Sequence, residues 1–342
     1  MHTTTVSPPS QHSLLVIGCG SIGERHLRCF QKTGRARVAA CDTHPELARK
    51  IGADYAVETF SDWQAALVRR FDGVVICTPA PFHVAMGTAA LEAGSHVLIE
   101  KPLSQSLQGI DGLLAARDRV KRTAAVAYTL QSYPILAAAR EFLAGQPFGP
   151  IKQALVTAGQ NFPFYRPAYA STYYRDRKMG GGAIQDALTH WVNWVESVLG
   201  PVDSVLCDCA HLVLADVEVE DTVHVSTRHG AALANFSLNQ FQAPNETTIQ
   251  FNAAGGSVKI ELHRARWGSY AQGQTEWQWH QAAPLQRDDP FLFQANAFLD
   301  MIDGQPSRLC SLEAAFSTLR FNLAALVSAE SGQRVTCASL HG

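Results

Sequence analysis

Asp186 and His190 stand four residues apart in the stretch that opens at Gly182. On a helix that spacing sets both side chains on one face about a turn apart, so the carboxylate can orient the imidazole and favour its protonated form. A histidine held this way titrates near working pH and can take the proton of a hydroxyl group. The pair also reads as a first-turn helix acid next to a partly buried polar residue. Lys101 follows the apolar run His96 to Glu100 and precedes Pro102, which places a cation at the carboxyl edge of a sheet, where α/β proteins bind ligands. An ordinary surface lysine is the other reading. Upstream of Asp186, Arg166, Tyr169, Tyr174 and Arg175 make an aromatic and basic run. Tyr174 and Arg175 are the expected substrate contacts, through ring stacking and through recognition of an anionic group, or else they are structural.

A second constellation lies near the start of the chain. The apolar run Leu14 to Ile17 leads directly into Gly18, Cys19, Gly20, Ser21, Ile22 and Gly23, followed by the helix-compatible Glu24 to Gln31. This is GxGxxG between a strand and a helix. The first glycine permits the tight turn, the second lets a pyrophosphate approach the backbone, and the third lets helix and strand pack closely. Asp42 ends the next strand about 20 residues on, where a carboxylate binds adenosine ribose hydroxyls and repels a 2′-phosphate, so NAD is favoured over NADP. Asp42 also suits a cap for the helix that Pro45 starts.

The elements that position these residues alternate as parallel βαβ units do. Strands are expected at Leu14 to Ile17, Ala36 to Cys41, Ala53 to Val57, Gly73 to Cys77, His96 to Ile99 and Ala124 to Tyr128, with helices such as Pro45 to Ile51 and Phe82 to Ala93 between them. Six strands complete a doubly wound sheet. Beyond Thr129 come a helix from Pro134 to Ala144, a strand near Ile151 to Ala158, an aromatic loop through Met179 and a helix from Gly182 to Leu199. Consecutive strands at Val202 to Leu214, Thr222 to Thr227, Ala231 to Leu238, Thr247 to Ala253 and Ser257 to Leu262 then predict an antiparallel sheet. Helices from Phe291 to Ile302 and from Leu312 to Ala329 close the chain. The division expected is an extension over 1–13, a Rossmann domain over 14–130 and an α+β domain with a large, mainly antiparallel open sheet over 131–342, its last helix (312–329) returning to the first domain.

The chain has 342 residues, 46% hydrophobic and 17% charged, and a formal net charge of -2. That composition supports two packed domains and gives no electrostatic reason to bind nucleic acid or an anionic membrane. No apolar run reaches the roughly 18 residues that span a bilayer. Eight scattered cysteines without a CxxC pair read as reduced thiols, with no metal site, and with the absence of a signal-like start they point to the cytoplasm.

Thr78, Pro79 and His83 after the fourth strand, Glu100, Lys101 and Pro102 after the fifth, and then Tyr174, Arg175, Gly180 to Gly182, Asp186 and His190 together resemble the Gfo/Idh/MocA oxidoreductase family. The likeness extends from Leu14 to about Ala329. It departs at Tyr174, where the family often has Trp, and at Leu188, where it often has Gly. The resemblance implies that Lys101, Asp186 and His190 are catalytic. It further implies that Thr78, Pro79, His83 and Glu100 join Gly18, Gly20, Ser21, Ile22, Gly23, Asp42 and Lys101 around the cofactor, with Lys101, Tyr174, Arg175, Asp186 and His190 at the substrate. A cis peptide between Lys101 and Pro102 also follows from it. The activity implied is NAD-dependent oxidation of a secondary hydroxyl on a sugar, cyclitol or sugar derivative. Redox-assisted glycoside cleavage is the enzymatic alternative, and a nucleotide-sensing regulatory protein on the same fold is the other. The open sheet suggests a homodimer or homotetramer.

Overall fold

The computed structural model describes residues 11–340. The short apolar runs form β1 (His12–Ile17), β2 (Ala36–Cys41), β3 (Thr59–Phe60), β4 (Gly73–Ile76), β5 (His96–Ile99) and β6 (Ala124–Val126), all paired in parallel. Helices α1 (Ser21–Lys32), α2 (Pro45–Tyr55), α3 (Trp63–Leu67), α4 (His83–Glu92) and α5 (Ile110–Val120) connect them. The spatial order β3-β2-β1-β4-β5-β6 reverses between β1 and β4, which opens a crevice at the carboxyl ends of those two strands. Leu14, Leu15 and Val16 are fully buried, as strands covered on both faces require.

The rest of the chain adds α6 (Pro134–Ala144), β7 (Ile151–Asn161), α7 (Phe162–Tyr165), α8 (Thr189–Leu199), β8 (Ser204–Ala210), β9 (Thr222–His229), β10 (Ala232–Asn239), β11 (Phe241–Ala253), β12 (Gly256–Glu261), β13 (Arg266–Ala271) and β14 (Gln278–Gln281). It ends with α9 (Asp289–Ile302), β15 (Cys310–Ser311), α10 (Leu312–Ser331) and β16 (Val335–Thr336). The second sheet runs β14-β13-β12-β11-β7-β10-β9-β8-β16, and its neighbours are antiparallel except the pair β7 and β10. Buried and open positions alternate along β9 and β10, so one face carries the core. Leu136, Val192, Trp194, Phe321 and Ala324 from α6, α8 and α10 cover that face, while Leu206 and Leu233 are exposed.

Several expected elements move. Residues 53–55 continue α2, which stops where Ala56 takes the left-handed conformation, and the edge strand β3 follows at Thr59 with only two paired positions. The strand expected over 202–214 ends at Ala210, because the buried Asp221 carboxylate accepts the backbone N–H groups of Leu212, Val213 and Leu214 and folds them into a loop. Most of the expected extension, 1–13, lies outside the described residues, and β1 already begins at His12. β15 joins the first sheet antiparallel to β6, and α9 packs Ala295, Phe298 and Leu299 into the core beneath α1, so the first core draws on residues far beyond 130. The N-terminal half of α10 (Leu312, Ala315, Leu319) sits in that domain's other core layer, and its C-terminal half in the second-sheet core. Among the described residues, no helix is long and apolar enough to cross a membrane.

Candidate active site

The glycine turn links β1 to α1 at the crevice. Gly18 holds φ +89°, and a Cβ there would lie 2.8 Å from the Cys77 carbonyl; at Gly23 it would lie 1.8 Å from the Gly18 oxygen. Both positions therefore require glycine for backbone reasons. Gly20 differs, since nothing lies within 4 Å of where its Cβ would be. Gly20 is also the N-cap of α1 and offers no side chain to the helix's first N–H groups. An open approach to uncapped N–H groups at a helix's positive end is what a pyrophosphate uses, so the residues present fit a dinucleotide. Ser21 and Ile22 are the first residues of that helix. Asp42 caps no helix: α2 begins from His44 without a side-chain cap, and the Asp42 carboxylate accepts from Cys19 N at 2.7 Å and His44 N at 2.8 Å. It is tied to the glycine turn itself.

Lys101 follows β5, with a cis bond to Pro102. Its Nζ donates to Asp186 Oδ1 at 2.7 Å and to the Asp186 carbonyl at 2.9 Å. The Tyr173 hydroxyl donates to the same Oδ1 at 2.6 Å, and Arg166 Nη1 stands 3.5 Å from Oδ2. Burial alone would raise the Asp186 carboxyl, but Lys101 and Arg166 overcome it and hold the group well below the usual carboxylate range. Burial would lower the Lys101 ammonium, and Asp186 reverses that too. The two are a buried ion pair at the carboxyl edge of the first sheet.

His190 is not bonded to Asp186, contrary to the i, i+4 expectation. Two cations and a hydroxyl already crowd the two carboxylate oxygens, and charge-assisted bonds to Lys101 win over a neutral imidazole. The helix also starts differently: Ile184–Leu188 is a π-helical turn before α8. The His190 ring instead meets Tyr128 edge-on at 5.7 Å, and its buried Nδ1 has no partner. Burial, reinforced by the Lys101 charge, pushes the imidazole down to about 3. The imidazole is therefore held in its neutral form, which leaves one ring nitrogen with a free lone pair, and it does not titrate near working pH as its spacing suggested.

Residues 13–128 match an oxidoreductase family with an NAD-binding Rossmann fold, and residues 136–261 match the GFO/IDH/MocA C-terminal domain. The chain belongs to the Gfo/Idh/MocA oxidoreductase family. An inositol 2-dehydrogenase/D-chiro-inositol 3-dehydrogenase of Shouchella clausii is 38% identical over 99 residues, 28% of this chain and 29% of that protein. A levoglucosan dehydrogenase of Pseudarthrobacter phenanthrenivorans is 26% identical over 201 residues, 56% of this chain and 52% of that protein. The chain thus aligns with about half or less of the length of these relatives. A solved levoglucosan dehydrogenase complex with NADH and levoglucosan shares the fold, with a TM-score of 0.85 at 19% identity over 96% of this chain and 100% of that one.

In this Gfo/Idh/MocA chain, four expected contacts take other roles. His83 is buried with Nδ1 2.9 Å from the Pro102 carbonyl and Nε2 2.7 Å from the Thr78 carbonyl, so it ties the loop after β4 to the loop after β5 and leaves no ring nitrogen for a ligand. Thr78 itself borders the glycine turn, its N lying 2.9 Å from where a Gly18 Cβ would be, and Pro79 follows it. Glu100 is buried with one carboxylate oxygen 2.7 Å from His26 of α1 and the other accepting from Lys101 N at 3.1 Å. Tyr174 is 1% exposed, packs on Phe162 and donates its hydroxyl to Gln240. Arg175 points to solvent, whereas Tyr173 and Arg166 reach the Asp186 carboxylate. The tight 3₁₀ turn Tyr173–Arg175 turns successive side chains to different sides, a phase that composition does not reveal. The triple glycine serves packing: a Cβ at Gly181 would lie 2.0 Å from the Tyr174 carbonyl, and one at Gly182 2.4 Å from Glu220. Glu220, which the sequence reading missed, also accepts from Ile184 N at 3.1 Å and so anchors the turn that carries Asp186.

Proposed function

We propose that this protein is an NAD-dependent dehydrogenase that oxidises a secondary hydroxyl of a sugar, cyclitol or sugar derivative. The carrying observation is the buried Lys101–Asp186 pair, beside an unpartnered neutral His190, at the edge of the sheet that holds the uncapped glycine turn. Gly18, Gly20, Ser21, Ile22 and Gly23 would hold the dinucleotide phosphates, Asp42 would meet the adenosine ribose, and Thr78 and Pro79 would border the cofactor. NAD held there would supply the acceptor for the hydride of the carbinol carbon. His190 takes the hydroxyl proton as the C–H and O–H bonds break and the carbonyl forms. Lys101 donates to the reacting oxygen and stabilises its developing negative charge. Asp186 fixes the lysine through two contacts, and Tyr173 and Arg166 fix Asp186 in turn.

The names of similar proteins support a polyol substrate, since they act on inositols and levoglucosan. Eight free thiols suit a cytoplasmic enzyme, and the exposed face of the second sheet suits a homodimer or homotetramer. The test is net NADH formation over a panel of cyclitols, aldoses, sugar acids and nucleotide sugars. Formation of NADH in proportion to substrate supports the reading; a bound cofactor that no panel member reduces refutes it.

A further inference from the structure

A cleft of about 320 Å³ lies between the catalytic helix and the second sheet, within the roughly 300–1,000 Å³ that small-molecule sites occupy. Its walls come from Leu130 and Tyr133, from the ends of β7, β10 and β11, and from the turn Leu262–Arg264. Ala187 and Trp191 line it, each one residue beyond Asp186 and His190. Consecutive residues of a helix point roughly a quarter-turn apart, so the cleft runs along the flank of the face that carries the reacting groups.

The lining has a definite chemistry. None of its fourteen residues is Lys, Arg, Asp or Glu. His263 is its one basic side chain, with Nδ1 against the Thr247 backbone, so an anionic substituent entering the cleft would give up hydration without meeting a lysine or arginine. The polar groups are the Gln160, Asn239, Gln240 and Asn245 amides, the His263 ring and the hydroxyls of Thr247 and Tyr133; the Gln240 oxygen accepts from the Tyr174 hydroxyl and its buried Nε2 has no partner among the described residues. The Asn239 amide is already tied to Gln242 and to Phe241 N, whereas the Gln160 and Asn245 side chains are not hydrogen-bonded to other described residues. An amide both donates and accepts, as a hydroxyl does, so two free amides suit a ligand whose groups do the same. Trp191 adds an amphipathic ring against which an apolar C–H face can lie.

We propose that this cleft is the subsite for the part of the substrate away from the reacting carbon, and that it takes an uncharged, hydroxyl-bearing group. The inference rests on the dehydrogenase reading above and narrows it: neutral sugars, cyclitols and their neutral glycosides are substrates, and uronic acids and sugar phosphates that would place their charge here are not. Trp191 provides a binding signal independent of turnover.

The experiment pairs fluorescence titration with NAD-reduction kinetics on the full chain. The probes are myo-inositol, glucose, galactose and their methyl glycosides, set against glucuronate, galacturonate and glucose 6-phosphate. Trp191→Phe identifies the fluorescence change that arises in the cleft. At least one neutral probe binds with a change that Trp191→Phe abolishes, and its charged counterpart binds at least about tenfold more weakly. Gln160→Ala and Asn245→Ala each weaken that neutral probe by about tenfold, seen as a raised KM with kcat retained, the loss of roughly one hydrogen bond. NADH affinity stays the same in both variants, which separates loss of the subsite from loss of the fold. Equal or tighter binding of the charged counterparts, no neutral probe bound, or an unmoved KM in both variants overturns the proposal. Binding that follows the expected pattern without NADH formation leaves the subsite standing and overturns the dehydrogenase reading instead.

Discussion

Glu196 lies on α8, six residues past His190, and it is 9% exposed. Its carboxyl accepts from Ser317 Oγ at 2.6 Å, from the Thr318 hydroxyl and from Val202 N at 3.2 Å, but no cation among the described residues pairs with it. Burial therefore prevails over these bonds and pushes the group up from 4.5 to about 7. A carboxyl raised in the folded state contributes stability that is fully present below the unfolded value and is lost as pH rises through the folded one. The shift of about 2.5 units, at about 1.4 kcal/mol per unit, makes the loss about 3 kcal/mol between pH 4.5 and pH 8. Glu196→Gln removes the titration and keeps the shape. Urea unfolding of both proteins across this range, extrapolated to water, measures the difference. Near pH 4.5 the two should be similarly stable, and above about pH 7.5 the variant should be more stable by about 3 kcal/mol. A difference that stays constant with pH would refute the argument, since it would mean that Glu196 has the same affinity for protons folded and unfolded.

Other outcomes follow from the site. His190→Ala should lower kcat by about 10²–10⁴ with NAD affinity nearly unchanged. Because His190 is held down to about 3, wild-type kcat/KM should show no acid limb between about pH 5 and 8; an inflection near 6.5 would restore the Asp186–His190 pairing. Tyr173→Phe should reduce kcat with little change in stability, whereas Tyr174→Phe should cost about 1 kcal/mol of stability and leave kcat/KM alone, and the reverse pattern would return Tyr174 to the substrate. Wild-type kcat/KM for NAD should exceed that for NADP by at least about tenfold, roughly 1.4 kcal/mol, and Asp42→Ala should narrow the ratio. Equal use of both cofactors would show that the Asp42 carboxylate, held by Cys19 N and His44 N, does not reach the ribose.

The features legible in the amino-acid sequence are those whose physical cause is local. Gly18 and Gly23 announce themselves because any side chain there would strike backbone, and the run into Lys101 does so because an apolar strand must end where its polar residues begin. The βαβ alternation gave the first sheet for the same reason, since each strand buried on both faces is a continuous apolar run. Tertiary structure decided which partner each chemical group meets. Lys101 and Asp186 are 85 residues apart, and only the packing of two domains brings them to 2.7 Å, where the cation displaces His190 from the carboxylate. The choice of Tyr173 over Tyr174 depends on the phase of one 3₁₀ turn, and β15 has only two residues, too few for any periodic signal. The neutral state of His190 likewise depends on burial and on a charge contributed from another domain, because a pKa reports the whole surroundings of a group and the spacing of two residues reports only their angle about a helix.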